Sequence, residues 1–198
     1  MGLITFISLM HPARPKMQRR MTRSVMGQAG GWEHIRLETG VTDDMPAMCR
    51  LLTDAPIEIA GKYTYILDDD DELMAGFVTA LDRFTVHQRP HWIMVMAKLG
   101  GPDDPLDGIW PRRDPNGAAI NFANPADCAA WEPGDEPGRV STLNLVIRTD
   151  VFMEHRAACG SLPADYNLAR SMWDAGIRPV WLNVLAARTQ KISKGRGE

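Results

Sequence analysis

Short β-forming runs alternate with helical segments along most of this chain, and this alternation limits the possible folds more than any other feature. Met17, Met21 and Val25 recur every four residues after the first run, and Leu168 and Met172 share a face near the end. Both patterns predict helices. The runs predicted to be strands are ITFISLM, WEHIRLE, KYTYIL, HWIMVMAKL, VSTLNLVIR and IRPVWLNVLAAR. Strands alternating with helices predict an α/β domain with a mostly parallel central sheet and flanking helices.

The composition is that of an ordinary globular domain. Of 198 residues, 44% are hydrophobic and 24% are charged, so the chain can bury a core, and we expect residues 1–198 to form a single domain. The net charge of −3 argues against nucleic acid as the main partner. Cys49, Cys128 and Cys159 are widely spaced, which favours neither a zinc site nor a disulfide framework and predicts a cytoplasmic protein.

The apolar segment at residues 3–10 is expected to be the first strand. Basic residues follow it instead of preceding it, which is the wrong order for a signal peptide. No apolar run in the sequence reaches the ~20 residues that cross a bilayer as a helix, so we expect no transmembrane segment.

Four consecutive aspartates, beginning with Asp68, follow the third predicted strand in the sequence YILDDDDEL. Ligands of open α/β sheets bind at the carboxyl ends of strands, and carboxylates there suit Mg²⁺ or Mn²⁺ shared with a diphosphate. The alternative is the acidic start of a helix over DDELMAGFVTALDRF, with Leu73, Phe77, Leu81 and Phe84 on one face. The residues alone leave both interpretations open.

Three residues elsewhere are further candidates. Asp165 falls in the first turn of a predicted helix, where a carboxylate either caps the helix or projects into a cleft. On the residues alone, capping is the more typical role. Trp110 and Trp131 lie in predicted loops rich in glycine and proline, where an indole ring could stack on a sugar, although an aromatic side chain more often belongs to the core.

The segment GKYTYILDDDDELMAGFVTAL resembles the metal-binding segment of family-2 glycosyltransferases, in which a strand delivers an Asp-x-Asp-Asp motif. Two more segments are similar to that family in the same order. FISLMHPARPKMQRRMTRSVMGQAGGWEHIRLE is similar to its opening, and STLNLVIRTDVFMEHRAACGSLPADYNLARSMWDAGIRPVWL to its acceptor side. The resemblance implies a GT-A fold, the Rossmann-like fold of nucleotide-diphospho-sugar transferases.

The resemblance also implies roles for the aspartates. Asp68 and Asp70 would be the Asp-x-Asp pair that holds the metal and the donor diphosphate. Asp71 would be a further metal ligand, and Asp69 a further donor contact. Asp165 corresponds to the acid that serves as general base in inverting members of the family.

Outside the aspartates, the resemblance places Pro12 beside the nucleobase and Glu38 against the nucleoside. On its charge alone, and not from the resemblance, Lys191 in the basic tail 191–198 is a candidate to contact the diphosphate. Residues 1–99 would then form the nucleotide-sugar and metal half, and residues 100–190 the acceptor half.

Together the residues and the resemblance predict a metal-dependent glycosyltransferase that uses Mn²⁺ or Mg²⁺, and the resemblance alone implies that it inverts the anomeric carbon. Its donor would be a nucleotide-diphosphate sugar, most simply a UDP-sugar. Its acceptor would be a hydroxyl group of a glycan, lipid, protein or modified base. Two alternatives remain open: a degenerate relative that binds nucleotide or glycan without turnover, and another metal-dependent phosphoryl-transfer enzyme that uses the same aspartates.

Overall fold

The computed structural model describes residues 2–40, 45–99, 108–113 and 117–189. The strands are β1 Ile4–Met10, β2 Trp32–Glu38, β3 Tyr63–Ile66, β4 Asp71–Leu73, β5 Trp92–Leu99, β6 Gly108–Trp110, β7 Leu145–Arg148 and β8 Val180–Thr189. The helices are α1 Pro15–Met26, α2 Met45–Asp54, α3 Phe77–Thr85, α4 Pro125–Ala129, α5 Thr149–His155 and α6 Ala164–Asp174, with 3₁₀ segments at Thr142–Asn144 and Arg156–Gly160.

All the described strands join one sheet in the order β2-β1-β3-β7-β5-β8-β4, with β6 added beside β5. The pairings β1–β2, β1–β3 and β5–β8 are parallel, while β7, β6 and β4 are antiparallel to their neighbours. Five of the eight described strands (β1, β2, β3, β5 and β8) therefore run in one direction, as the alternation of strands and helices predicts.

Helices cover both faces of the sheet. One face packs against α1 and α3, through side chains such as Met21 and Phe77. The other face packs against α2, α4, α5 and α6, through side chains such as Phe152 and Leu168. Burial on both sides explains why the central strands are apolar almost throughout. All seven residues of β1 are buried, so the expected first strand is confirmed as a core strand.

The segment after the aspartates differs from its prediction. Asp71–Leu73 is strand β4, paired antiparallel with Ala187 and Thr189 in β8, and is not the start of a helix. The helix begins only at Phe77, after Gly76, whose φ of 80° is left-handed. The local negative charge favours a helix start. The conformation is determined instead by pairing with β8, a strand more than a hundred residues away in sequence. Of the predicted helical face, Phe77 and Leu81 lie in the core and Phe84 packs against it, whereas Leu73 reaches the same core from β4 and not from the helix.

Two other boundaries differ because side chains cap turns. In the predicted strand VSTLNLVIR, Asn144 accepts from the Ser141 backbone N–H at 2.9 Å and closes a 3₁₀ turn, so β7 begins only at Leu145. In the stretch NPADCAAWEP, which reads as a loop, Asn124 accepts from the Ala126 N–H at 3.1 Å and Pro125 begins α4.

None of the helices in the described part of the chain is both long and apolar enough to cross a bilayer.

Candidate active site

Segments distant in sequence meet at one edge of the sheet. Because β1, β2 and β3 are parallel, the residues that follow them emerge together. Antiparallel β7 starts at this edge, and α6 also begins there. A cavity of about 390 Å³ lies at the edge, lined by Asp68, Asp69 and Asp70, by Arg14 and Thr142, by Asp165 and its neighbours Leu162, Pro163 and Ala164, and by Leu9, Cys49, Leu52 and Ile66.

Three of the four aspartates form a compact carboxylate cluster. One oxygen from each of Asp68, Asp70 and Asp71 lies within 4.8 Å of the other two. A tight turn sets this geometry, because Asp71 Oδ2 accepts from the Asp68 N–H at 2.9 Å and the Asp71 N–H donates to the Asp68 carbonyl at 3.1 Å. Pairing of Asp71 with Thr189 in β8 then fixes the end of the turn.

The electrostatics of the cluster disfavour three bare negative charges. Burial and the neighbouring carboxylates Asp70, Asp69 and Asp165 raise the pKa of Asp68 to about 7. Burial likewise raises the pKa of Asp70, although Arg14 opposes this, and burial together with Asp68 raises the pKa of Asp71 well above its usual range. A cation bound among these groups would reverse these shifts.

The cluster fits a hard divalent cation. Its donors are all carboxylate oxygens, which Mg²⁺ and Mn²⁺ prefer. The ligand atoms of Asp68, Asp70 and Asp71 are close enough together to share one ion. Since Asp71 already accepts from the backbone of Asp68, Asp68 and Asp70 are the more available pair.

The fourth carboxylate, Asp69, has protein donors on both oxygens. It is 2% exposed, accepting from the His11 N–H at 2.7 Å and from Arg14 at 3.3 Å. It therefore anchors the loop between β1 and α1 to the end of β3. Arg14 also lies 3.8 Å from Asp70 and brings a positive charge to the rim of the cavity.

Asp165 projects from the first turn of α6 into the same cavity. Its Oδ1 accepts from the Tyr166 N–H at 2.7 Å. The N-cap residue of α6 is Pro163, whose side chain makes no capping hydrogen bond. Burial raises the pKa of Asp165, opposed by its backbone hydrogen bonds. A carboxylate in this position can accept a proton more readily than one in water.

The remaining predicted site residues lie around this cavity or outside the described chain. Pro12 is exposed in the loop after β1, and Glu38 is exposed at the end of β2, opposite Met10. Both are at the edge that carries the aspartates, but neither lines the cavity, so their nucleoside contacts stay predictions. Lys191 lies outside the described residues.

The structure places Trp110 and Trp131 in the core, which favours the core alternative over stacking on a sugar. Each is only 3% exposed. Trp131 packs edge-on against Trp92, Trp173 and Trp181, with ring centroids 5.9, 6.0 and 5.6 Å away. Their glycine- and proline-rich context indicated loops, but the tertiary packing places both rings in the core.

Sequence reasoning missed two groups at the cavity. Arg14 pairs with Asp69 and lies against Asp70, and its position directly before the helix-starting Pro15 was a usable signal. Cys49, from α2, also lines the cavity, and burial raises the pKa of its thiol. A lone cysteine in an ambiguous segment gave no comparable signal.

The raised pKa of Asp68 predicts a dependence of stability on pH. Its ordinary pKa of 3.8 rises to about 7 on folding, so the folded state binds the proton more tightly. The free energy of unfolding therefore falls as pH rises from about 4 to 7, and the whole of this loss in stability persists above pH 7. We expect Asp68→Asn to remove this cost and to raise the Tm at pH 8 without metal by roughly 2–4 °C per kcal/mol relieved.

The measurement is thermal unfolding in EDTA at pH 5 and pH 8. The gain of Asp68→Asn should be large at pH 8 and small at pH 5. Asp82→Asn, which removes an exposed carboxylate from α3, is the control and should behave like the parent. Equal effects of the two variants at pH 8 would contradict the repulsion in the cluster.

Comparison with known proteins identifies the fold. No protein-family model and no curated sequence matches the chain. Among solved structures, it is similar to residues 1–349 of S. aureus TarS, with a TM-score of 0.54 and 10% identity over 95% of this chain and 60% of that one. For a second TarS structure the TM-score is 0.60, with 12% identity over 96% of this chain and 37% of that one. A TarS 1–349 complex with UDP-GlcNAc gives a TM-score of 0.59, with 10% identity over 98% of this chain and 60% of that one.

The chain thus spans less than two thirds of each of these TarS chains. TarS is a glycosyltransferase, and the sheet described above has the same mixed α/β architecture with flanking helices. At this level of identity the similarity concerns the fold alone. On this structural similarity, the chain has a fold of the GT-A type.

Proposed function

We propose that this chain is a metal-dependent, inverting glycosyltransferase of the family-2 kind that transfers a sugar from a UDP-sugar to a hydroxyl acceptor. One observation carries the proposal: Asp68 and Asp70 of the carboxylate cluster line one cavity of about 390 Å³ together with Asp165, although almost a hundred residues separate them from it in sequence. The similarity to a protein solved with UDP-GlcNAc and with UDP supports the choice of donor.

Asp68 and Asp70, with Asp71 beside them, would hold Mn²⁺ or Mg²⁺. When bound, the ion supplies Lewis-acid stabilisation of the charge that grows on the leaving diphosphate. Arg14, which lies against Asp69 and Asp70, provides a fixed positive charge at the same place. We assign Pro12 and Glu38 to the nucleoside and Lys191 to the diphosphate.

Asp165 would be the general base. It would accept the proton of the acceptor hydroxyl while the hydroxyl oxygen attacks the anomeric carbon and the bond to the diphosphate breaks. The Tyr166 N–H holds Oδ1 of Asp165 at 2.7 Å, which orients the carboxylate. Attack on the side of the sugar opposite the leaving group inverts the anomeric configuration.

The direct test is a screen of nucleotide sugars for release of UDP or GDP, with Mn²⁺, with Mg²⁺ and with EDTA. We expect UDP release from at least one UDP-sugar with Mn²⁺ or Mg²⁺ and none with EDTA. Binding of UDP with metal but no turnover of any donor would favour the non-catalytic alternative. Hydrolysis of phosphodiesters without UDP-sugar turnover would favour the phosphoryl-transfer alternative.

A further inference from the structure

A positively charged groove lies between α1 and β2, on the face of the sheet that α1 covers. It has a volume of about 350 Å³ and is lined by three arginines, Arg19, Arg23 and Arg36, together with Gln18 and Thr22. Gln18, Arg19, Thr22 and Arg23 are spaced so that they form one stripe along α1. Arg36 completes the groove from the neighbouring strand.

The charges of this groove are not neutralised by the described part of the protein. Arg19, Arg23 and Arg36 are all exposed and make no ion pair with any described residue. Helix α1 contains no acidic residue at all. Three guanidinium groups therefore face one concavity on a chain whose net charge is −3.

The neighbouring groups do not cancel this charge. Arg20, on the same helix, is turned away and lies 3.9 Å from Glu72. His34 lies two residues before Arg36 on β2, and burial and the charge of Arg36 lower its pKa to about 4. It is therefore neutral at pH 7 and adds no charge of either sign to the groove. The nearest acid along β2 is Glu38, at the end of the strand, and it is not among the residues that line the groove.

We propose that the α1–β2 groove binds a phosphate group carried by a second ligand. Guanidinium groups present pairs of N–H donors that match phosphate oxygens, and several arginines around one concavity concentrate this effect. Gln18 and Thr22 add neutral hydrogen-bonding groups between the charges. The phosphate can belong to a soluble phosphate ester or to the headgroup of an anionic lipid, because the two present the same chemistry.

The groove is distinct from the candidate active site. Its lining shares no residue with that of the cavity containing Asp68 and Asp165. Met10 and Pro15, which flank the loop after β1, place one end of the groove near the edge of the sheet where the aspartates lie. A phosphate bound in the groove would thus hold the rest of its molecule beside the active site, independently of donor and metal.

The test uses the full chain in EDTA and without nucleotide, so that the carboxylate cluster recruits no anion through a metal. Two probes are titrated: inorganic phosphate, followed by amide chemical shifts, and vesicles of phosphatidylcholine with phosphatidylglycerol, followed by sedimentation. Arg19→Gln/Arg23→Gln should weaken binding at least about tenfold, and Arg36→Gln should weaken it in the same direction. Arg83→Gln/Arg89→Gln removes the same charge from exposed positions elsewhere and is the matched control.

Binding of inorganic phosphate with shifts confined to α1 and β2 would support the proposal with a soluble ester as the source. Binding of the phosphatidylglycerol vesicles, but not of vesicles of phosphatidylcholine alone, would support it with a lipid source. Binding of neither probe by the parent would overturn the proposal, as would equal losses in the groove variants and the control. None of these outcomes depends on sugar transfer.

Discussion

Replacement of Asp70 by alanine is expected to abolish Mn²⁺-dependent binding of UDP and to leave the fold intact. The carboxylate of Asp70 is one of three whose ligand atoms lie within 4.8 Å of one another. Loss of a group that merely supports a metal ligand typically costs 10–100-fold in metal affinity, so loss of a direct ligand should cost at least about 100-fold. Calorimetric titration of UDP with and without Mn²⁺ measures the effect.

The structure also explains why this variant should fold. Asp70 is not needed for the turn, which Asp68 and Asp71 close, and Arg14 keeps its contact with Asp69. Asp82→Ala, in an exposed part of α3, is the control for removal of one negative charge. If Asp70 is only an acid in a solvated turn, its variant will bind UDP with Mn²⁺ like the parent and shift stability by no more than about 0.5 kcal/mol.

Replacement of Asp165 by asparagine is expected to lower sugar transfer roughly 10²–10⁴-fold with metal and donor binding nearly unchanged, because positioned acid–base groups contribute about that much. The amide keeps the shape of the side chain, and its oxygen can still accept from the Tyr166 N–H. It cannot accept the proton of the acceptor hydroxyl. Steady-state UDP release in the presence of acceptor measures the effect.

Asp150 provides a closely matched control. Like Asp165, it lies in the first turn of a helix and accepts from the N–H of the next residue. It forms a bidentate pair with Arg148 and lines a different cavity, with Lys62 and Arg89. Asp150→Asn should therefore keep normal turnover. If Asp165→Asn stays within about threefold of the parent, the base assignment is wrong, and the acid serves only the helix start, where asparagine substitutes well.

The pair of variants also separates the alternatives. A phosphoryl-transfer enzyme would lose activity with Asp70→Ala but not with Asp165→Asn, since it needs the metal ligands alone. A non-catalytic module would lose UDP binding with Asp70→Ala and show no turnover to compare for Asp165→Asn. Only a glycosyltransferase would show both the binding defect and the turnover defect.

The sequence determined those parts of the fold that depend on local patterns. The apolar runs that became β1, β3 and β5 are largely buried strands, the run that became β8 is a partly buried strand, and the periodic segments that became α1 and α6 are helices. Alternation along the chain was enough to predict a mostly parallel α/β sheet, because crossover helices place successive parallel strands in one sheet. The sequence patterns did not predict the turn at Ser141 or the short helix α4, because each depends on one capping side chain.

The sequence also located the aspartates correctly at the end of β3, but not their conformation. Asp71 is held in β4 by pairing with Thr189, a partner that no local pattern indicates. The same limitation applies to Trp131, whose ring is buried by Trp92, Trp173 and Trp181, contributed by separate parts of the chain.

The sequence alone indicated which residues carry the chemistry of the candidate site, namely four consecutive carboxylates after a strand and an acid at the start of a helix. Without the family resemblance, nothing linked Asp165 to Asp68. The tertiary structure decided which of these residues share a cavity, that Asp69 binds His11 and Arg14, and that Arg36 faces Arg19 and Arg23. The physical reason is that periodicity and capping act over a few residues, whereas strand order brings together groups that are far apart in the chain.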